Sequence, residues 1–317
     1  MTVALVLGAG GVVGQAWHAG VLHALREDLG WDPRTADHVI GTSAGSVAGA
    51  LLRAGVAPAD LFARAVGDPL SDDARRRLNA AGMKRPPTLP APTIGGGGRA
   101  PVSMRLLARA AVTMRPGLLV AGALPRGTVD PAMIADGIGS LYPDGWPSAR
   151  FEVCAVRLDD GTRVVFGRPG SPAVDVGPAV AASCAIPGYF RPVTIDGLEY
   201  VDGGVHSPTN ADLARGADVV VVSSPMSLDS AALRRPSADR VLRIGHRASL
   251  ERELVGLRRS GATVVTFQPG AADLEKMGGT AGAMDPRRRE GVARQARTTT
   301  TRRLASPALR KALEGLT

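Results

Sequence analysis

The first sixty residues constrain the fold more than any other part of the chain. Val3–Leu7 is an unbroken apolar run that ends in Gly8-Ala9-Gly10-Gly11-Val12-Val13-Gly14. A short apolar run bounded by glycines suits a strand buried on both faces. From Gln15 to Leu29, the residues Trp17, Val21, Leu22, Leu25 and Leu29 recur with helical spacing, and Arg26 and Glu27 fall elsewhere. Val39–Gly41 reads as a second strand, and Ser46–Ala54 as a second helix that stops at Gly55, with Pro58 beyond. Strand, helix, strand, helix predicts a parallel pair joined by a right-handed crossover, and so an α/β chain.

Regular patterning returns at Phe151–Leu158, where apolar residues alternate. Asp159-Asp160-Gly161 makes a turn, and Arg163–Phe166 comes back as the second strand of a hairpin. Val176–Ala185 reads as a short helix. Pro192–Ile195 and Tyr200–Val201 flank an Asp196-Gly197 turn, and Val219–Ser223 and Val264–Phe267 read as further strands. Arg287–Leu316 is Arg-rich and helical in pattern. Asp68–Pro101 carries prolines, charges and four consecutive glycines, which argues for a flexible insertion. A surface loop and a lid both fit it. Ser103–Val120 then reads as an amphipathic helix. With no repeat and no clear linker, the expectation is a single domain over 1–317, with the insertion at 68–101 and the Arg-rich helical part at 287–317.

Composition removes several function classes. Only 3% of residues are aromatic, too few for a stacking platform, so no nucleic-acid partner is expected. The net charge of +9 comes from arginine, since Lys84, Lys276 and Lys311 are the only lysines. That charge implies a preference for anionic surfaces. Cys154 and Cys184, the only cysteines, exclude a disulfide framework and a multi-thiolate metal centre. The opening VALVLGAGG has no basic segment followed by an apolar one, and nothing approaches the ~20 apolar residues of a spanning helix. A cytoplasmic protein with a transient membrane partner is expected. No cofactor and no metal are expected, and the oligomeric state is unread.

Three segments can carry chemistry. The glycine loop Gly8–Gly14 opens a helix, so it presents N–H groups and the positive helix end to an anion. A dinucleotide site fails on spacing, because Val13 stands at the third glycine position of G-x-G-x-x-G. A purely structural turn remains open. The second segment is Gly41-Thr42-Ser43-Ala44-Gly45, a G-x-S-x-G between strand and helix, the context in which that motif exposes a nucleophilic serine. The alternative is helix N-capping by Ser43. The third is Tyr200-Val201-Asp202-Gly203-Gly204 at a strand end, where Asp202 can serve as a base. Asp-Gly is also a common turn dipeptide. A Ser-His-Asp triad in the order of the α/β-hydrolases would need His206 or His246, and neither sits in a recognisable motif. Cys184 lies in an apolar run and reads as packed. A Ser–Asp dyad is what remains.

A fourth stretch, AVAASCAIPGYFRPVTIDGLEYVDGG from Ala179 to Gly204, follows the same order. Together the four segments resemble the patatin-like phospholipase family, whose A-S-x-x-x-P-x-x-F-x-P-V run leads into D-G-G. The resemblance covers Val3–Gly55 and Phe151–Pro225. It implies a three-layer α/β/α fold with a central, mostly parallel sheet, and Ser43 and Asp202 as catalytic dyad. It implies an oxyanion hole from the N–H groups of Gly10, Gly11 and Val12, with Gly41, Gly45, Gly203 and Gly204 as motif glycines. The implied activity is hydrolysis of fatty acyl esters in lipids through an acyl-enzyme, without cofactor. The alternative is a catalytically weak or inactive lipid-binding protein of the same fold. One departure stands out. Many members carry Arg or Lys where this chain has Val13, which puts the preference for a charged lipid in question.

Overall fold

A computed structural model describes residues 1–83, 103, 106, 116–229, 232, 238–279 and 282–316. Its centre is an eight-stranded sheet. The strands are β1 (Val3–Leu7), β2 (His38–Thr42), β3 (Arg150–Arg157), β4 (Arg163–Phe166), β5 (Val193–Ile195), β6 (Leu198–Asp202), β7 (Val219–Ser223) and β8 (Thr263–Phe267). They lie in the order β5-β6-β3-β2-β1-β7-β8, with β4 paired to β3. The run β3-β2-β1-β7-β8 is parallel throughout, and β4, β5 and β6 pair antiparallel. The chain is therefore α/β with a mixed, mostly parallel sheet.

Successive residues of the central strands pack on opposite faces. Val3, Leu5 and Leu7 of β1, with Val219 and Val221 of β7, join one apolar cluster. Ala4 and Val6, with Val220 and Val222, join the other. That is the period-two alternation of a sheet covered on both sides. Helices α1 (Gly11–Leu29), α2 (Ala44–Arg53) and α3 (Pro58–Val66) cover the first face. Leu250, Leu254 and Leu257 of α8 (Ala238–Arg259) cover the second. Fully burying each leucine is worth roughly 1.5–3 kcal/mol, so the two clusters hold the sheet between helical layers.

The remaining α-helices among the described residues are α4 (Asp72–Ala80), α5 (Pro116–Ala123), α6 (Ala132–Gly139), α7 (Val176–Ser183), α9 (Ala271–Met277), α10 (Arg289–Leu304) and α11 (Pro307–Ala312). The segment expected to be a flexible insertion thus begins with a helix. Ser71 Oγ accepts from the Ala74 N–H at 3.2 Å, Asp72 and Asp73 face the positive helix end, and Ala74 and Leu78 are buried. Residues 84–101 lie outside the described residues, as do 104–105 and 107–115 of the helix expected over Ser103–Val120. Its last turns fall in α5. Helix α10 lies against α1 so closely that a Cβ on Gly20 would stand 2.4 Å from the Ala293 carbonyl oxygen.

Candidate active site

Strand register brings the three motif segments to one level. Leu7 pairs with Gly41, Thr42 with Cys154, and Ala155 with Asp202. The ends of β1, β2 and β6 therefore line up, with Asp202 as the last residue of β6 and the glycine loop and Ser43 just beyond β1 and β2. Ser207 and Asn210 hold the chain that follows. Asn210 Nδ2 donates to Thr42 Oγ1 at 3.1 Å and to the Ser207 carbonyl at 2.7 Å.

A single residue joins β2 to α2. Ser43 takes φ 53° and ψ −118°, a strained region for a residue with a side chain, at about 1–3 kcal/mol. Its backbone is held on both sides. Its N–H donates to Ser183 Oγ at 2.9 Å, and its carbonyl accepts from Ser46 Oγ at 2.7 Å. Its side chain makes no cap hydrogen bond to α2, so the ordinary N-cap use does not occur. The turn is tight enough that a Cβ on Gly45 would stand 1.9 Å from the Leu7 carbonyl oxygen, and one on Gly41 2.5 Å from Ser46 Cα. Only glycine allows that approach.

Asp202 ends β6 and is 5% exposed. Its N–H donates to the Ala185 carbonyl at 3.0 Å, which ties it to the Ala179–Gly204 run. Its Oδ1 accepts from the Gly204 N–H at 2.7 Å. A Cβ on Gly203 would stand 2.3 Å from the Cys154 carbonyl oxygen. Burial pushes the Asp202 carboxyl up to about 6, against the hydrogen bonds from the Ser43 side chain and the Gly204 N–H. Among the described residues, burial, Ser43 and the Gly204 N–H are the influences on this carboxyl, and no histidine is among them. His206 interacts with Asp212, and His246 Nδ1 is 3.3 Å from the Met226 carbonyl oxygen. Cys184 is buried with its thiol pushed up, and its Sγ is 3.7 Å from Ser46 Oγ.

The glycine loop is anchored at its flanks and open at its centre. Gly8 N–H donates to the Ser223 carbonyl at 2.9 Å, Ala9 N–H to Pro208 at 2.7 Å and Val13 N–H to Ala283 at 3.1 Å. Among the described residues no acceptor meets the N–H groups of Gly10, Gly11 and Val12 at the start of α1. Three unmet donors at a helix N-terminus suit a developing negative charge.

Sequence reasoning passed over two supporting residues. His18 is fully buried beneath the loop. Its Nε2 is 2.7 Å from the Gly8 carbonyl oxygen, and its Nδ1 is 2.8 Å from Ser223 Oγ. A carbonyl only accepts, so Nε2 carries the proton and Nδ1 accepts from the Ser223 hydroxyl. Burial pushes this imidazole down to about 4, so it is neutral at ordinary pH. A lone histidine in a helical segment gives no signal of this kind. Ser183 lies inside the quoted A-S run, but its grip on the Ser43 N–H depends on contact across 140 positions. Among the described residues no group of three or more His, Cys, Asp or Glu is placed to hold a metal ion.

A family model described as patatin-like phospholipase matches residues 5–215. Among solved structures, VipD from Legionella pneumophila is similar with a TM-score of 0.40 and 13% identity, over 95% of this chain and 66% of that one. The type III effector protein ExoU is similar with a TM-score of 0.39 and 16% identity, over 98% of this chain and 53% of that one. The chain therefore spans less than two thirds of the length of either.

Proposed function

The chain belongs to the patatin-like phospholipase family, and from that membership we propose that it is a serine lipid acyl hydrolase working through Ser43 and Asp202. The observation that carries this reading is the placement of Ser43, on its strained turn, level with the buried Asp202 carboxyl and beside three N–H groups that meet no acceptor among the described residues. Asp202 takes the hydroxyl proton as Ser43 Oγ attacks the ester carbonyl carbon. Negative charge on the carbonyl oxygen meets the N–H groups of Gly10, Gly11 and Val12. Collapse breaks the ester bond, and Asp202 returns the proton to the departing alcohol. Water then gives a proton to Asp202 and attacks the acyl-Ser43, releasing a fatty acid. Ser43 recovers its proton at the end of the cycle.

Lipid esters sit at an interface, and exposed apolar residues lie on two helices that touch the loops around the site. Val241, Leu242 and Ile244 of α8 are 66%, 54% and 45% exposed. Their neighbour Arg243 donates to the Pro225 carbonyl at 2.6 Å, and Pro225 stands against Gly10. Leu119 of α5 is also exposed, and α5 packs on the turn after Asp202. Among the described residues no helix is long and apolar enough to cross a membrane. The setting we propose is a cytoplasmic protein that visits an anionic lipid surface.

The test uses a series of p-nitrophenyl acyl esters and a fluorophosphonate probe. Ser43→Ala and Asp202→Asn should each cut kcat/KM by about 10³ or more, and mass spectrometry should find the phosphonyl adduct on Ser43. A wild-type chain that turns over no ester and refuses the probe would leave the lipid-binding reading instead.

A further inference from the structure

Among the described residues, three other than glycine take a positive φ: Ser43, Asp196 and Asn210. Asp196 sits in the Asp-Gly turn between β5 and β6, where that conformation is ordinary. Ser43 is the proposed nucleophile. Asn210 belongs to no hairpin and to no motif read from sequence. It opens a short 3₁₀ turn, Ala211–Ala214, at φ 53° and ψ 35°, and it is fully buried. Asparagine is one of the few residues with a side chain that tolerates this region. Glycine would suit the backbone as well, so conformation alone does not select asparagine here.

The amide is engaged at both ends. Nδ2 donates to the Ser207 carbonyl at 2.7 Å, to Thr42 Oγ1 at 3.1 Å and, at 3.5 Å, towards the Gly203 carbonyl. Oδ1 accepts from Arg163 Nη1 at 3.1 Å. A guanidinium only donates and a carbonyl only accepts, so the amide stands in one orientation. Arg163 is itself clamped by the two Asp212 carboxylate oxygens, each at 2.7 Å. Thr42 immediately precedes Ser43, and Gly203 immediately follows Asp202. In the sheet β3 stands between β2 and β6, so those two strands lie two spacings, roughly 10 Å, apart. Asn210 joins their ends directly with one planar group. An amide that served its own turn alone would need Ser207 and Arg163, but not Thr42, 168 positions away.

We propose that Asn210 is a positioning residue, whose amide fixes the entry to the Ser43 turn against the exit from Asp202 and so sets how the Ser43 hydroxyl meets the carboxyl. It touches no substrate. Its consequence for catalysis rests on the acyl-hydrolase reading, and its effect on the geometry of the pair does not.

The experiment compares the full-length wild type, Asn210→Gly, Thr42→Val and the double variant, with Ser43→Ala as the control for Ser43 dependence. Asn210→Gly keeps the left-handed backbone and deletes the amide, and Thr42→Val deletes only the hydroxyl that receives it. On p-nitrophenyl esters, well below each Tm, Asn210→Gly should lower kcat about 10²-fold and Thr42→Val about tenfold, with KM unchanged. The double variant should lose little more than Asn210→Gly, since both changes remove the same bond. The Asp202 carboxyl, assigned by the carbon-13 resonance that Asp202→Asn removes, should titrate higher in Asn210→Gly than in the wild type, because Ser43 then donates to it less well. Thr42→Val carries both readouts where Asn210→Gly does not fold. A lower Tm with kcat and carboxyl titration as in the wild type would overturn the positioning role and leave a Ser43-dependent hydrolase intact. Losses that multiply in the double variant would overturn it too. A wild-type chain that turns over no ester would overturn the hydrolase reading, and the carboxyl titration would then decide by itself: a higher value in Asn210→Gly supports the positioning role and an unchanged one overturns it.

Discussion

Asp202 and His18 are both titratable groups enclosed by the protein, and burial drives them in opposite directions. Asp202 is pushed up to about 6 and His18 down to about 4. A base must be ionised to take the Ser43 proton, so kcat/KM should rise with pH and reach half its plateau near 6. The same displacement opposes stability. A carboxyl whose folded value lies above its unfolded one favours folding only while protonated, so its contribution is lost as pH rises from 3.8 through about 6. Asp202→Asn should therefore be more stable than wild type at neutral pH, by up to about 3 kcal/mol. The gap should shrink as the pH falls towards 4, which urea melts across that range would read. His18 has the other sign. Its folded value lies below 6.5, so acid favours the unfolded chain and stability is lost as pH falls from 6.5 towards about 4. His18→Leu would leave the Gly8 carbonyl and the Ser223 hydroxyl unsatisfied. It should cost about 2–4 kcal/mol in urea melts. Steady-state kinetics should show kcat falling more than KM, because Gly8 begins the donor loop.

At the scale of elements, the contact that decides whether the first helical layer stays in place is α1 against α10. Gly20 permits it, since any Cβ there would press on Ala293 and Ala296. Gly20→Val should lift α10 and cost more than about 2 kcal/mol, with a lower urea midpoint, while Ala24→Gly would make no such wedge. Which elements could be read from sequence follows from what each one buries. β1, β2 and β7 are apolar runs closed by glycine or serine, and they lie where that pattern put them. Helix α1 begins at Gly11 rather than Gln15, because glycines carry no periodic signal. Helix α8 escaped notice for a different reason. Leu250, Leu254 and Leu257 keep helical spacing on its buried face, but Val241, Leu242 and Ile244 are exposed, so apolar residues mark no single stripe. The alignment of Asp202 with Ser43 depends on β3 standing between β2 and β6. Local pattern holds no trace of that pairing, and only the ordered family motifs anticipated it.

For the whole molecule, the family-matched residues 5–215 contain Ser43, Asp202 and the glycine loop, while α8 and α10 come from the remainder. That remainder does more than complete the layers. Helix α8 buries its second half under the sheet and exposes Val241, Leu242 and Ile244 beside the loop around Pro225. Arg252 and Arg259 are exposed further along the same helix, and the chain as a whole carries +9. Apolar insertion and charge attraction should then contribute separately to binding a lipid surface. Sedimentation with vesicles rich in anionic lipid should pull down more of the chain than vesicles of neutral lipid. Salt at about 0.5 M should narrow that difference, because the screening length shrinks to a few ångströms. Val241→Asp/Ile244→Asp should weaken binding at low and high salt alike, since it removes inserted apolar area and adds negative charge. It should also slow hydrolysis of vesicle lipid more than hydrolysis of a monomeric ester. Equal partition of wild type and variant at both salt concentrations would show that α8 does not face the lipid, and that the exposed residues serve another contact.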